Sequence, residues 1–164
     1  MHSFAPDAEN ARLFRQALGR FVTGVTVVTT AAPAGPVGIT VNSFTSVSLD
    51  PPLVLWCPAR ASGRFALFAG AAHFAIHVLA AEQRALSHRF ARGAGLFDDL
   101  SPEHTPEGVP VLPDVLARFD CALYSTYDGG DHAIVVGRVL RASQRNGAPL
   151  VFSGGDYGQV SAAM

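Results

Sequence analysis

Two periods of hydrophobicity run along this chain, and each predicts a different element. Over 8–21 apolar residues recur every three or four positions, the spacing of one helix face, and Asp7 is available as a cap. That face consists of Leu13, Phe14, Ala17, Leu18 and Phe21. Further on, β-branched residues fill 25–30, turn residues occupy 33–36 and strand-like alternation returns over 37–42. This order predicts a β-hairpin after the first helix.

The rest of the chain is also predicted to be mostly strand. Apolar or alternating runs predict strands over 53–57, 73–79, 119–127, 132–142 and 149–152. Two more helices are predicted, one running from Ser62 to position 68 and one over 82–90. The segment 92–113, rich in glycine and proline, is predicted to be a loop and a candidate cover for a site.

This order of elements favours one fold class over another. Many strands joined by hairpins, with few peripheral helices, favour a closed antiparallel barrel over a parallel α/β sheet. A Rossmann domain is not expected, because no predicted strand runs into a G-x-G-x-x-G turn and helix.

The composition predicts one domain with apolar surface to cover. The chain has 164 residues, enough for one core but not two, so a single domain is expected over 1–164, with its core at about 11–160. Hydrophobic residues make up 49% and charged residues only 15%, so we expect a homodimer that covers part of an apolar surface. The 12 Lys and Arg residues are scattered singly and the net charge is −1, which argues against a nucleic-acid partner.

The cysteines and the N-terminal residues indicate the cellular compartment of the protein. Cys57 and Cys121 lie far apart and in no paired motif, which predicts neither a disulfide framework nor a zinc site and fits a reducing cytoplasm. Residues 1–10 have no apolar run behind a basic start, and no stretch approaches the roughly 18 apolar residues of a membrane span. We therefore expect a soluble, cytoplasmic protein with no membrane partner.

Short polar side chains are concentrated in 38–53, a segment that begins as an alternating strand and ends near a double proline. Five of them donate or accept hydrogen bonds where a plain strand would be apolar or charged: Asn42, Ser43, Thr45, Ser46 and Ser48. Because these side chains are short, a flat polar ligand can approach the backbone closely. An ordinary Ser/Thr-rich strand and turn explains the same residues equally well.

The segment 38–53 also resembles the flavin-contacting segment of the flavin reductase family, small NAD(P)H:flavin oxidoreductases that supply reduced flavin to partner monooxygenases. Four more segments resemble this family in order and spacing: 21–29, 74–79, 130–139 and 149–157. The resemblance implies a mainly β fold, the FMN-binding split barrel, an antiparallel Greek-key barrel with a few peripheral helices. It also implies a homodimer, FMN or FAD as cofactor, NADH as co-substrate and a flavin-dependent monooxygenase component as partner.

The same resemblance implies where the flavin ring would lie. The residues in question are Thr40, Val41, Asn42, Ser43 and Ser46, together with Cys57. Reduction adds negative charge near the pyrimidine edge of a flavin, and backbone N–H groups of this segment would act as preorganised donors. Little acid or base chemistry is needed, because the flavin accepts the electrons and the protein positions the two rings. Thr45 and Ser48 can instead be hydroxyls that satisfy strand ends.

The flavin phosphate is assigned by resemblance to Ser62 and Arg89. Ser62, at the predicted helix start, would offer a hydroxyl beside free N–H groups, and Arg89 would add a cation. Without the resemblance, an ordinary helix cap and a solvated helix residue describe these two better. Phe90 is implied to pack on the flavin, and core packing fits it as well.

The resemblance implies that His132 and Tyr157 lie at the nicotinamide. His132 follows a Gly-Gly turn and an aspartate, and matches the family's nicotinamide-facing histidine, although such a residue is often structural or simply exposed. Tyr157 would cover the rings. Before it stands Asp156, where the family usually has a basic residue, and an acid there disfavours the 2′-phosphate of NADPH, so NADH is predicted. His77, within an apolar strand, is interpreted as a satisfied barrel or interface histidine, and no metal site is predicted.

Two other functions fit the same barrel. One is a non-catalytic protein that holds flavin or haem, since a fold does not fix a function. The other is a relative whose flavin reduces a different acceptor, such as a ferric chelate or a corrinoid. The leading prediction is an NADH-dependent flavin reductase.

Overall fold

A seven-stranded antiparallel sheet forms the body of the protein in the computed structural model, which describes residues 1, 3–93 and 97–160. Its spatial order is β3 (Gly35–Val41), β2 (Thr26–Ala32), β6 (His73–Val78), β9 (Ala117–Gly129), β10 (His132–Gln144), β5 (Pro52–Trp56), β4 (Thr45–Leu49). A second antiparallel sheet has the order β1 (Thr23–Gly24), β11 (Leu150–Ser153), β12 (Asp156–Gln159). A small hairpin pairs β7 (Glu103–His104) with β8 (Pro110–Val111). The prediction of a mainly β, antiparallel fold is confirmed.

Short helices lie outside the sheet. They are α1 (Ala11–Leu18), α2 (Phe65–Ala69) and α3 (Arg84–Arg92), the last preceded by a 3₁₀ turn over Ala81–Gln83. The helix α3 ends at Gly93, whose φ of 91° is the left-handed conformation that glycine adopts most easily at a helix C-terminus. Within the described ranges, none of these helices has the length and apolar character needed to cross a membrane.

The seven-stranded sheet is split between β3 and β4, its two edge strands. These strands follow each other in the chain, yet they pair with β2 and β5 and not with one another. Residues 42–44 connect them across the gap. The sheet is curved, so that the end of β3 approaches the end of β5, where Ser43 and Cys57 are hydrogen-bonded. The result is a barrel with an open seam.

Alternation along the strands produces two cores. Inside the barrel, Trp56 is fully buried against Phe68 and Phe74, with ring centroids 5.3 and 6.0 Å away. Burying each of these side chains contributes roughly 2–3 kcal/mol. On the other face of the sheet a second cluster packs under α3: Val25, Val27, Leu79, Phe90, Leu112 and Leu150. The period-2 pattern of the strands therefore places alternate residues in two separate apolar layers.

Two predicted helices differ from the observed ones at their starts. The first helix begins at Ala11, not at position 8, because the Asp7 carboxylate accepts bonds from the backbone and side chain of Asn10 and so closes a turn before the helix. The helix predicted from Ser62 begins at Phe65. The Ser62 carbonyl accepts the Phe65 amide at 2.9 Å, which makes a turn, and the Ser62 hydroxyl caps no helix. The prediction of Ser62 as a helix cap was wrong.

The glycine- and proline-rich segment 92–113 is only partly a loop. Val109, Val111 and Leu112 are buried against the outer face of the barrel. The Thr29 hydroxyl donates to the Pro110 carbonyl at 2.6 Å, which fixes this stretch to β2. Residues 109–112 are therefore part of the core, and positions 94–96 lie outside the described residues. A role of the segment as a cover over a site stays a prediction.

Candidate active site

The connection between β3 and β4 presents both fixed and free polar groups at the seam of the barrel. The Thr40 hydroxyl donates to the Ser87 carbonyl of α3 at 2.7 Å, and the Ser43 hydroxyl accepts the Cys57 amide at 2.9 Å. Within the described part of the chain, the exposed side chains of Asn42 and Ser46 have no hydrogen-bond partner. Thr40 and Ser43 therefore fix the backbone, while Asn42 and Ser46 are available to a ligand.

Cys57 lies at the end of β5, half-buried beneath this connection. Burial raises the pKa of its thiol, and the hydrogen bond with Ser43 lowers it by less. A thiol with a raised pKa stays protonated at neutral pH and is a poor nucleophile. Cys57 is therefore not expected to act as a nucleophile, and its contact with the flavin stays a prediction.

A small pocket brings several predicted site residues together. It has a volume of about 140 Å³ and is lined by Val25, Thr40, Val41, Asn42, Phe152 and Tyr157. Ligand sites are typically about 300–1,000 Å³. This pocket is therefore one wall of a site that continues beyond it.

Tyr157 is held rigidly on its side of the pocket. Its hydroxyl is hydrogen-bonded to the Ser87 hydroxyl at 2.8 Å, and its ring centroid lies 5.3 Å from that of Phe152 and 4.9 Å from that of His88. The Arg84 guanidinium lies 5.3 Å from the ring centroid, in a cation–π contact. Because α3 holds both Thr40 and Tyr157 through Ser87, the two walls of the pocket share one support.

A larger cleft of about 650 Å³ adjoins the small pocket and shares Asn42 and Phe152 with it. It runs between α1 and the turn from β11 to β12, where Gly154 donates its amide to the Gly19 carbonyl at 2.8 Å. Three arginines line it: Arg12, Arg15 and Arg20. Sequence reasoning treated the basic residues as scattered singly and missed this cluster. The spacing of Arg12, Arg15 and Gln16 on one helix face was the available signal.

His132 opens β10 on the other side of the seam. Its Nδ1 is hydrogen-bonded to the Asp131 carboxylate at 2.8 Å, which holds the pKa of that carboxyl below its ordinary value. The side chain is 43% exposed, so a ligand can reach it. The segment after Cys57 runs beside it, because Ala59 forms a β-bridge with His132. One short segment thus connects Ser43 and His132.

The proposed phosphate ligands are not brought together by any shared hydrogen bond. Arg89 makes two hydrogen bonds with the carboxylate of Asp99, at 2.5 and 3.1 Å, which lowers the pKa of Asp99. The Ser62 hydroxyl accepts the Arg64 amide at 3.3 Å in the turn before α2. Their assignment to a phosphate therefore stays a prediction.

Phe90 is a core residue in this structure. It is completely buried, and its ring packs edge-on to Phe97 at 5.1 Å. A Cβ on Gly38 would approach this ring to 2.4 Å, so the glycine is what lets β3 pass so close. Since a ligand has no access to a fully buried ring, the prediction that Phe90 packs on the flavin is not supported by the structure. Core packing, the alternative, describes it.

Arg64 is a structural residue that sequence reasoning missed. Its guanidinium donates to the carbonyls of Gly38 and Phe90, both at 2.7 Å, and burial lowers its pKa. It thereby fastens the C-terminal end of α3 to β3. Only the folded topology brings these three residues together, so no spacing in the sequence indicates the contact.

His77 is satisfied inside the protein, as interpreted from the sequence. It is fully buried, its Nδ1 contacts the Val27 carbonyl at 3.0 Å, and its Nε2 accepts the Leu112 amide at 3.1 Å. Burial lowers its pKa to about 4. The ring is therefore neutral at pH 7, with the proton on Nδ1. In the described residues, no three His, Cys, Asp or Glu side chains are grouped so as to hold a metal ion.

Comparison with known proteins agrees with this arrangement. The Flavin reductase like domain family matches residues 18–161. The FMN reductase (NADH) SmoA of Agrobacterium fabrum (strain C58) is 60% identical over 98% of this chain and 92% of its own. The reductase subunit HsaB of a flavin-dependent monooxygenase from Rhodococcus jostii (strain RHA1) is 42% identical over 93% of this chain and 80% of its own.

A solved structure extends the agreement to the fold. The NADH:FAD oxidoreductase SgcE6 of Streptomyces globisporus, crystallised with NAD and FAD fragments, superposes with a TM-score of 0.91. It is 34% identical, and the match covers 99% of this chain and 98% of that one. Sequence, fold and the seam-side pocket thus agree with the resemblance stated from the sequence, and the chain belongs to the flavin reductase family.

Proposed function

We propose that the protein is an NADH-dependent flavin reductase that supplies reduced FMN or FAD to a flavin-dependent monooxygenase component. The observation that carries this proposal is the pocket in which Thr40, Val41 and Asn42 lie opposite Tyr157. The 60% identity to an FMN reductase (NADH) supports the interpretation of that pocket as a flavin site. The match to HsaB, a monooxygenase reductase subunit, supports the partner.

The residues at the seam fit a flavin ring. Asn42 and Ser46 present polar side chains without a partner among the described residues, as a ring edge with donors and acceptors requires. A bound flavin supplies the electron-accepting ring, to which a dihydronicotinamide loses its hydride and becomes NAD⁺. The role of this chain is to orient the two rings, and the rigid support of Thr40 and Tyr157 by Ser87 serves that role.

His132 is proposed to hold the nicotinamide. With Nδ1 engaged by Asp131, its Nε2 is the ring atom left for a ligand. When Nδ1 donates to Asp131, Nε2 can accept a hydrogen bond, and the carboxamide of a nicotinamide donates one. Asp156, exposed beside Tyr157, supports NADH over NADPH because it would repel a 2′-phosphate.

Ser62 and Arg89 are retained as the proposed site of the flavin phosphate, on the resemblance alone. Arg89 lies 31% exposed in an ion pair with the largely exposed Asp99. Water screens a surface pair of this kind, so a phosphate dianion can replace the carboxylate. The short helix α2 offers no anion site of its own.

A homodimer is proposed from the apolar face of α1. This helix has no buried residue, and its apolar positions Phe14 and Leu18 are 43% and 59% exposed. The edge strand β4 adds Leu49, which is 95% exposed. A second copy of the chain is the occupant we propose, since the pocket at the seam is too small to enclose a ring by itself. A cytoplasmic location stays a prediction.

One experiment separates the proposed function from its alternatives. Purified protein is mixed with NADH and with FMN, FAD or riboflavin, and loss of NADH absorbance is followed against protein-free controls. Catalysed loss that depends on flavin supports the proposal. Tight flavin or haem binding without NADH oxidation would instead identify a binding protein, and NADH oxidation that requires a ferric chelate or a corrinoid would identify the other alternative.

A further inference from the structure

The cleft beside α1 has the charge of an anion site. Its lining includes three of the chain's 12 basic residues, Arg12, Arg15 and Arg20, and no aspartate or glutamate. Over the part of the chain that the structure describes, none of the three guanidiniums forms an ion pair or a hydrogen bond. Five other arginines, by contrast, are paired with carboxylates: Arg60, Arg89, Arg118, Arg141 and Arg145. Three adjacent positive charges therefore lack a counter-charge here.

The orientation of α1 is unusual for a surface helix. Such a helix normally turns its apolar stripe towards the protein and its charged face to water. Here Arg12, Arg15 and Gln16 of α1 line the cleft, together with Leu18 and Gly19 at the end of the helix. The apolar Phe14 on the opposite side is 43% exposed. The charged face is thus directed at a concave surface where a ligand would lie.

Two further groups in the cleft point to a polar ligand. The Oγ1 atom of Thr23 is buried and has no hydrogen-bond partner within the described residues, although a buried hydroxyl normally has one. At the turn, Gly154 and Gly155 have φ values of 61° and 102°. Neither glycine has a side chain, and no heavy atom outside the adjacent residues lies within 4 Å of where a Cβ would be, so the backbone faces open space. An unpaired hydroxyl and bare backbone accompany the three cations, a combination suited to phosphate oxygens.

We propose that this cleft binds the diphosphate of the nicotinamide dinucleotide, with Arg15 and Arg20 as its main ligands. The inference rests on the proposed function. It follows from continuity, because the cleft shares Asn42 and Phe152 with the pocket assigned to the ring. A dinucleotide whose nicotinamide lies over that pocket would extend its diphosphate into the cleft. Planar guanidiniums bind such oxygens in pairs of hydrogen bonds.

The test combines a binding measurement with donor and acceptor substitution. Calorimetry with ADP-ribose, which has the diphosphate but no nicotinamide, measures binding without turnover. In kinetics, riboflavin is the acceptor, so that no flavin phosphate is present, and the donor is either NADH or a phosphate-free N-benzyl dihydronicotinamide. The variants are Arg15→Gln and Arg20→Gln, and Arg138→Gln on β10 is the control, an exposed arginine without an ion pair among the described residues.

The proposal predicts a selective loss. Removing one charge-assisted contact should weaken ADP-ribose and raise the KM for NADH by roughly 10-fold to 100-fold. The KM for the phosphate-free donor should stay unchanged, and Arg138→Gln should behave like the unsubstituted protein in every assay. Unchanged thermal unfolding of the variants would show that the effect is not on the fold.

Three results would overturn it. The first is unchanged ADP-ribose binding and NADH kinetics in both variants. The second is a rise in KM for FMN but not for riboflavin, measured with the phosphate-free donor, which would assign the cleft to the flavin phosphate. The third is an equal rise in KM for NADH and for the phosphate-free donor. If the protein oxidises no NADH with any flavin, the proposed function fails, and ADP-ribose binding still decides whether the cleft binds a diphosphate.

Discussion

Ser43 and Cys57 join the two sides of the barrel seam, with the Cys57 amide donating to the Ser43 hydroxyl at 2.9 Å. The Ser43 hydroxyl also lies 3.4 Å from the Cys57 carbonyl. One serine thus engages both backbone groups of Cys57, where β3 and β5 have no ladder between them. We expect the bend at Asn42 to depend on this contact.

Ser43→Ala should therefore affect stability, whereas Ser46→Ala should affect flavin binding. Loss of the Ser43 hydroxyl leaves a partly buried amide unpaired and should lower the free energy of unfolding by about 1 kcal/mol. Ser46 is exposed, so Ser46→Ala should leave stability unchanged and weaken flavin binding. Urea unfolding and flavin titration of both variants make the comparison. Unchanged stability of Ser43→Ala would show that the seam does not depend on this contact.

His77 should make the protein sensitive to mild acid. Its pKa is about 4 when folded, because of burial, and near 6.5 when unfolded, so below pH 6.5 the unfolded chain takes up the proton first. The contribution of the buried, neutral His77 to the free energy of unfolding is complete above pH 6.5 and is lost as the pH falls towards 4. A change from pH 7 to pH 5 should, through this residue alone, lower the free energy of unfolding by roughly 2 kcal/mol.

The measurement for His77 is urea unfolding at both pH values. In His77→Gln the amide keeps a donor and an acceptor but does not titrate, so the variant should lose less stability than the unsubstituted protein over the same interval. Parallel losses in the two proteins would assign the acid sensitivity to other groups.

Arg89→Ala is predicted to separate FMN from riboflavin. A charge-assisted contact with the phosphate corresponds to a rise of about 10-fold to 100-fold in the Kd for FMN, with little change for riboflavin. The ion pair with Asp99 adds a second expectation: Asp99→Asn should tighten FMN, because the phosphate no longer competes with a carboxylate. Equal weakening of both flavins by Arg89→Ala would mean that Arg89 acts on the fold or the ring.

Phe14→Glu should dissociate the proposed homodimer. A carboxylate on the exposed apolar face of α1 would be buried without a partner at the interface. Sedimentation at micromolar concentration should show a dimer for the unsubstituted chain and a monomer for the variant. Glu9→Gln, a change outside the apolar face, is the control. A monomer in the unsubstituted chain would contradict the interface directly.

The sequence predicted the strands well because their signal is local. The β-branched run over 25–30 and the apolar or alternating run over 132–142 match β2 and β10 to within two residues at each end. The sequence predicted no strand over Thr45–Leu49, because short polar residues there resemble a turn and only pairing with β5 makes this a strand. The short β12 was missed for the same reason.

The site was predictable only where one segment carries it. Thr40, Val41 and Asn42 lie in a single stretch and share a pocket, to which the sequence could also assign Tyr157 by resemblance. The spacing of Arg12 and Arg15 on one helix face was visible in the sequence, but the cleft was not, because it forms only where Gly154 packs against the end of α1. Phe90 was assigned to the flavin because it follows Arg89 in the sequence. Neighbouring positions on a helix point in different directions, so this adjacency could not show that Phe90 faces the core.

His132→Ala should slow hydride transfer while leaving flavin binding nearly intact, because the histidine would contact the nicotinamide and not the flavin. Rapid mixing of NADH with the flavin-loaded protein, without oxygen, gives the rate of flavin bleaching, and titration gives the Kd for flavin. Asp131→Asn, which keeps a hydrogen bond to Nδ1 but removes the charge, should have a smaller effect. Weakened flavin binding with an unchanged bleaching rate would move His132 to the flavin itself.

The most direct test of the central claim is the stoichiometry of that reaction. Without oxygen, the protein should catalyse the bleaching of one flavin for each NADH that is oxidised, at a rate proportional to protein concentration. NADH oxidation should stop when the flavin is fully reduced and resume when oxygen is admitted. Flavin that binds to the protein but stays oxidised in the presence of NADH would contradict the assignment as a flavin reductase.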